Sequence, residues 1–257
     1  MRSVLILGAG GALGTAITRQ LGSEPDTSLV VSDIDVDALD PALDRVRADV
    51  TSLADVQAAV DHTVERFGRL DALVSNAGVL APNGRIHNLT TADWDRVVQI
   101  NLMGAVNAVT AGVGAMRGQG GGSIVLTASV AGTTAWSHAA PYCVTKAAVI
   151  HLAKCAAVEY ARDSIRVNCV CPGTFRSAIH EGLPDEALLT DGEVLTATAP
   201  FQAIEVAVRM TDKVGEAWID GVTLARHNAP GENLVANGSF EEDADGGIPG
   251  SVLAPDT

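Results

Sequence analysis

The sequence predicts a doubly wound parallel α/β sheet in a single domain. Two observations carry this: short apolar runs alternate with longer stretches of helical periodicity, and a glycine cluster stands directly after the first apolar run. Length agrees, because 257 residues with 47% hydrophobic content can bury one large core.

Taken in order, the strand candidates are Ser3–Leu7 (SVLIL), Ser28–Ser32 (SLVVS), Arg45–Asp49 (RVRAD), Asp71–Ser75 (DALVS), Ser123–Ser129 (SIVLTAS), Ile165–Val170 (IRVNCV) and Glu216–Gly221 (EAWIDG), about seven in all. Most are followed by segments of period near 3.6, such as Leu53–Gly68 and Thr91–Met116. Strands of this kind, linked by right-handed helical crossovers, form a parallel sheet covered on both faces. Its binding crevice lies at the carboxyl ends of the strands. The run Gly118–Ser123 reads as a helix-to-strand loop. Residues 1–225 make up the expected domain, and residues 226–257 an acidic extension with no Lys or Arg after Arg226.

Charge removes several classes of function. A net charge of −14, from 17 basic against 31 acidic residues, repels a nucleic-acid backbone and an anionic membrane surface. No apolar stretch of spanning length free of charge or glycine is apparent, and no membrane partner is expected. Cys143, Cys155, Cys169 and Cys171 contain no C-x-x-C pair and fit reduced thiols in the cytoplasm; no metal site is expected.

The glycine cluster is GAGGALG, with Gly8, Gly10, Gly11 and Gly14 around Ala12 and Leu13. Glycines between a strand and a helix let the chain turn tightly and bring helix-terminal N–H groups close to a pyrophosphate. The second strand ends at Asp33, nineteen residues beyond Gly14, where an acidic side chain accepts the ribose 2′-OH of NAD and repels the 2′-phosphate of NADP. The alternative for Asp33 is a turn cap. Further along, Tyr142 and Lys146 are four residues apart, one helical turn on a shared face. A phenol is a poor base at neutral pH, and a nearby ammonium favours its phenolate.

These residues resemble the short-chain dehydrogenase/reductase family over roughly Met1 to Gly221. YCVTK matches the family's Tyr-x-x-x-Lys signature, and Ser129 stands thirteen residues before Tyr142. SNAG (Ser75–Gly78), INLMG (Ile100–Gly104) and CPGTFRS (Cys171–Ser177) resemble three further family motifs. The resemblance implies a Rossmann-like NAD-dependent enzyme acting on a secondary alcohol or ketone. Ser129 would orient the substrate oxygen, Tyr142 would move the proton, and Asn101 would hold a water linking Lys146 to solvent. It further implies cofactor contacts at Asp49 and Val50 near the adenine, at Asn76, Ala77 and Gly78 beside the adenosine ribose, and at Pro172 and Gly173, with Ser177 or Thr174 facing the carboxamide and Tyr142 and Lys146 also on the cofactor. A homodimer or homotetramer is the implied assembly.

The chain departs from the family pattern at the glycine turn, where Leu7 and Ala12 replace Thr and Gly, and Gly11 stands beside them. Read as Gly8-x-x-Gly11-x-x-Gly14, the turn resembles the epimerase-like branch. A second departure is WIDGVTLARHNAPGEN, in place of the usual closing strand. A nucleotide-sensing protein on the same fold is the alternative from a different class. Trp136 and His138 fall where a side chain borders substrate, although packing or surface is the commoner role for such residues; His180 and Pro184–Glu193 fall where the family carries a lid.

Overall fold

The computed structural model describes residues 1–173, 205–209 and 218–219. Its elements run β1 (Arg2–Leu7), α1 (Ala12–Gly22), β2 (Thr27–Asp33), β3 (Asp44–Arg47), α2 (Leu53–Phe67), β4 (Ala72–Ser75), α3 (Thr91–Val97), α4 (Gly104–Gly118), β5 (Gly122–Thr127), α5 (Ala140–Tyr160), β6 (Ile165–Cys171), β7 (Glu205–Arg209) and β8 (Trp218–Ile219). The sheet order is β3-β2-β1-β4-β5-β6-β7-β8. Every described pairing is parallel except β7 with β8. The doubly wound fold class is therefore present, with one strand more than the sequence suggests. β7 was missed, and the run Glu216–Gly221 holds the short antiparallel β8.

The first strand pairs with β2 on one side and β4 on the other, so the order of the sheet reverses at β1. Ligands bind such folds at the carboxyl ends of the strands flanking this reversal. Alternation in the strands sends successive residues to opposite faces, and two cores result. Leu5, Leu7, Leu73, Ile124 and Val167 pack with α2, α4 and α5 on one face; Val4, Ile6, Val31 and Val74 pack with Ile17 of α1 and Leu39 on the other. In α5 the buried positions Tyr142, Thr145, Lys146, Val149, Ile150, Ala153 and Ala156 recur every three or four residues.

Side-chain caps fix the starts of α2 and α3. Ser52 caps α2, which stops at the left-handed Gly68, and Thr90 forms a reciprocal capping box with Asp93 at the start of α3. The expected helix Thr91–Met116 is real but not uniform: a π turn over Val98–Met103 joins α3 to α4. The stretch Thr91–Gly118, 28 residues, holds an 18-residue window of mean hydropathy 1.3, long and apolar enough by composition to cross a membrane, although glycines and charges interrupt the stretch as the sequence reading has it. Its apolar character serves the core, because half of that window is buried against the protein itself.

Candidate active site

A cleft of about 630 Å³ runs along the carboxyl ends of the strands. Its floor begins at the turn after β1, where Gly8 adopts φ +77°, a left-handed conformation that side chains disfavour. A Cβ on Gly8 would lie 2.6 Å from Cα of Ala77, so the turns after β1 and β4 are back to back. Gly14 meets the same requirement from the helix side, since its Cβ would strike the Gly8 carbonyl and come within 2.7 Å of Cα of Ala9. Gly11 differs. It is the N-cap of α1, no side chain caps this helix, and a Cβ there would project into open space. With Ala12 and Leu13 also lining the cleft, the uncapped end of α1 turns its first N–H groups toward the cleft, the arrangement that favours an anion such as a pyrophosphate. The residues present thus fit a dinucleotide.

Asp33 ends β2 at the edge of this site. One carboxylate oxygen accepts from the Gly10 N–H at 2.9 Å and the other from the Asp35 N–H at 3.3 Å, so the side chain braces the glycine turn while it lines the cleft. Asp49 and Val50 follow β3. The Asp49 carboxylate accepts from the N–H and hydroxyl of Thr51, and the Val50 carbonyl accepts from the Asn107 amide at 2.8 Å. After β4, Asn76 donates to the Gly8 carbonyl at 2.8 Å, and a Cβ on Gly78 would lie 3.2 Å from Nζ of Lys146. Asp49, Val50, Asn76, Ala77, Gly78, Pro172 and Gly173 all line the same cleft. Thr174 and Ser177, with His180 and Pro184–Glu193, lie outside the described residues.

At the far end, Ser129, Tyr142 and Lys146 converge, again lining the cleft. Ser129 stands two residues past β5, where its hydroxyl accepts from the Ala131 N–H at 3.1 Å and caps a short 3₁₀ turn. It also hydrogen-bonds the Tyr142 phenol. The Lys146 ammonium donates to the Thr127 carbonyl at 2.7 Å and sits 5.7 Å from the centre of the Tyr142 ring. The helical spacing of the pair is as the sequence implies. Asn101 is held by the π turn, which inserts an extra residue and swings the side chain inward. Its Oδ1 accepts from the Val79 N–H at 2.8 Å, and its amide donates to the Val79 carbonyl at 2.9 Å and to Thr145 Oγ1 at 3.3 Å. This clamp ties the turn after β4 to α5.

Burial raises the Tyr142 pKa, opposed by the Ser129 hydrogen bond. Burial also lowers the Lys146 pKa from 10.5 to about 8. The ammonium remains charged at neutral pH but is held at a cost.

Sequence reasoning missed Asn107, Thr145 and Arg96. The first supports the cleft wall at Val50, the second joins Asn101 to the first turn of α5, and Arg96 lines the cleft. A polar residue inside the apolar run of α4 was the available signal for Asn107. The four cysteines form no disulfide among the described residues, and among those residues no His, Cys, Asp or Glu cluster could hold a metal.

A parallel sheet with a glycine turn at its reversal point and a Ser–Tyr–Lys set across the cleft defines a dinucleotide-binding α/β enzyme. The short chain dehydrogenase family model matches residues 2–187, and the chain belongs to that family. It is similar to the cis-4-hydroxycyclohexanecarboxylate dehydrogenase of Sinomonas cyclohexanicum, 34% identical over 74% of this chain and 79% of that one. Among solved structures it resembles levodione reductase (35% identity, TM-score 0.66, covering 69% of this chain and 73% of that one). It also resembles a 3-ketoacyl-(acyl-carrier-protein) reductase of Brucella melitensis complexed with NADH (26% identity, TM-score 0.66, covering 69% and 78%). The chain is therefore an oxidoreductase of the short-chain dehydrogenase/reductase family, acting on alcohol or ketone groups.

Proposed function

We propose that the chain transfers hydride between a secondary alcohol or its ketone and NAD, with Tyr142 as the general base and acid. The observation that carries this reading is the shared cleft: the uncapped end of α1 at one end, Ser129, Tyr142 and Lys146 at the other. Bound NAD would supply the hydride acceptor. Gly8, Gly10, Gly11, Ala12, Leu13 and Gly14 would hold its pyrophosphate, Asp33 the adenosine ribose with Asn76, Ala77 and Gly78 beside it, and Asp49 and Val50 the adenine. Pro172 and Gly173 would contact the cofactor as well, and Ser177 or Thr174 would face the carboxamide. The choice of NAD over NADP rests on Asp33, whose charge opposes a 2′-phosphate, and on the absence of Lys or Arg from GAGGALG.

Alcohol oxidation requires a proton acceptor at the hydroxyl as hydride leaves carbon. Ser129 donates to the substrate oxygen and holds it against the Tyr142 phenol. The Lys146 ammonium, charged below a pH of about 8, favours the phenolate that burial disfavours, and Asn101 passes the lysine's proton to solvent through a water. Association into a dimer or tetramer is supported by Val144 and Val158, which stand 55% and 80% exposed on α5. Cysteines outside any disulfide fit a reducing compartment such as the cytoplasm. The test is a screen of secondary alcohols and ketones with NAD(H) and NADP(H), read by reduced-nicotinamide absorbance. Turnover abolished by Tyr142→Phe supports the reading; NADH binding without turnover of any alcohol or ketone favours a nucleotide sensor instead.

A further inference from the structure

Between Ser129 and Tyr142 the chain carries one large aromatic residue, Trp136, half-buried and lining the cleft. Its ring lies 6.5 Å from that of Tyr142, centre to centre, with the two planes within 29° of parallel. The indole thus extends the face of the phenol along the cleft wall as one aromatic surface.

The loop that presents it is fastened at several points. Gly132 lies directly on α5, where a Cβ would be 2.7 Å from the Lys146 carbonyl carbon. The Trp136 N–H donates to Sγ of Cys143 at 3.4 Å, tying the loop to the first turn of α5. His138 holds φ +64°, a left-handed conformation uncommon outside glycine, and its carbonyl accepts from the Gly84 N–H at 3.1 Å. The loops after β4 and β5 are thereby joined at this point. A loop fastened at three points presents this ring as a preorganised wall rather than as a surface side chain that swings.

We propose that Trp136 is the specificity-determining residue for substrate shape, selecting alcohols and ketones whose reacting carbon belongs to a ring. This rests on the oxidoreductase reading above and deepens it. With the reacting oxygen between Ser129 and the Tyr142 phenol, the carbon skeleton leaves along the wall that the two rings form. A ring packs broadly against that wall without losing internal rotations, whereas an open chain of equal carbon number must freeze several bonds to do the same.

The experiment compares cyclohexanone with 2-hexanone, six carbons each, as substrates of the wild-type chain and of the Trp136→Ala and Trp136→Phe variants with NADH. The wild type should favour the ring by at least about tenfold in kcat/KM, Trp136→Ala should erase most of that ratio, and Trp136→Phe should restore most of it. NADH affinity, measured by fluorescence titration, should not change. Equal losses on both ketones would make Trp136 a support for Tyr142 and overturn the proposal, as would a wild-type preference for the open chain. Either outcome leaves the oxidoreductase reading standing. No turnover of any ketone by the wild type, despite NADH binding, would overturn both.

Discussion

Replacing Lys146 with Met should make the ligand-free protein gain stability relative to the wild type at neutral pH, in a way that pH itself can dissect. Burial lowers the Lys146 pKa from 10.5 to about 8. At about 1.36 kcal/mol per pH unit, carrying the proton in the folded state costs about 3 kcal/mol at pH 7. The sign follows from proton binding. Above pH 8 the folded chain releases the proton while the unfolded chain keeps it up to 10.5, so wild-type stability rises with pH through that window. Below pH 8 both states are protonated and the full cost is present. Methionine keeps the volume and carries no charge, but leaves the Thr127 carbonyl without its 2.7 Å donor, a loss of about 1.5–3 kcal/mol that offsets part of the gain. The hydrogen bond sets the offset between the two proteins, and the titration sets the slope. Urea unfolding at pH 7, 8, 9 and just below 10 should therefore show the wild type gaining about 2–3 kcal/mol on Lys146→Met across the range. Stopping there keeps Tyr142, whose pKa burial raises, protonated throughout. Parallel stability curves would refute the reasoning, because they would mean that Lys146 is not held in its charged form at a cost.

Tyr142→Phe keeps the ring that stacks on Trp136 and removes the hydroxyl, so folding and NADH affinity should survive while turnover falls by about 10²–10⁴ or more in both directions; unchanged kcat on a confirmed substrate would defeat the mechanism. Asp33→Asn removes the charge that opposes a 2′-phosphate yet can still accept from the Gly10 N–H, and it should narrow the NAD-over-NADP ratio in kcat/KM; a wild-type preference for NADP would already contradict the assignment. Truncation after Asn233 removes an acidic segment poor in core-forming residues, and NADH binding should persist; loss of folding would make that segment structural.

The order of elements and the position of the cleft were readable because the strand runs are long enough, at five to seven residues, to state their period, and glycines mark the turn after β1 where a side chain cannot fit. Where the reading failed, the signal was physically weak. β7 is five residues, EVAVR, whose alternation of charge and valine serves a helix end or a loop equally well. β3 ends at Arg47, two residues before the run suggested, because Ala48 and Asp49 already turn toward the cleft. The π turn has no composition of its own. It was hidden inside a continuous helical period, although it is what orients Asn101.

The site residues divide along the same line. Ser129, Tyr142, Lys146 and Asp33 are identifiable in the sequence because each must be a particular chemical group at a particular spacing. Asn107, Thr145 and Gly104 act by geometry: an amide that holds the Val50 carbonyl, a hydroxyl that joins Asn101 to α5, and a position where a Cβ would come within 2.9 Å of the Val50 side chain. Any of several residues could fill such a role elsewhere, so their identity carries no signal until the partner is in view. Trp136 falls between the two groups. Its type marks it as a wall or a core residue, and only its near-parallel contact with Tyr142 in the cleft distinguishes them. The chemistry of the reaction is thus written in residue identity, and the choice of substrate in how the loops after β4 and β5 are fastened, which makes the ratio of ring to open-chain turnover a more direct reading of this loop than the rate itself.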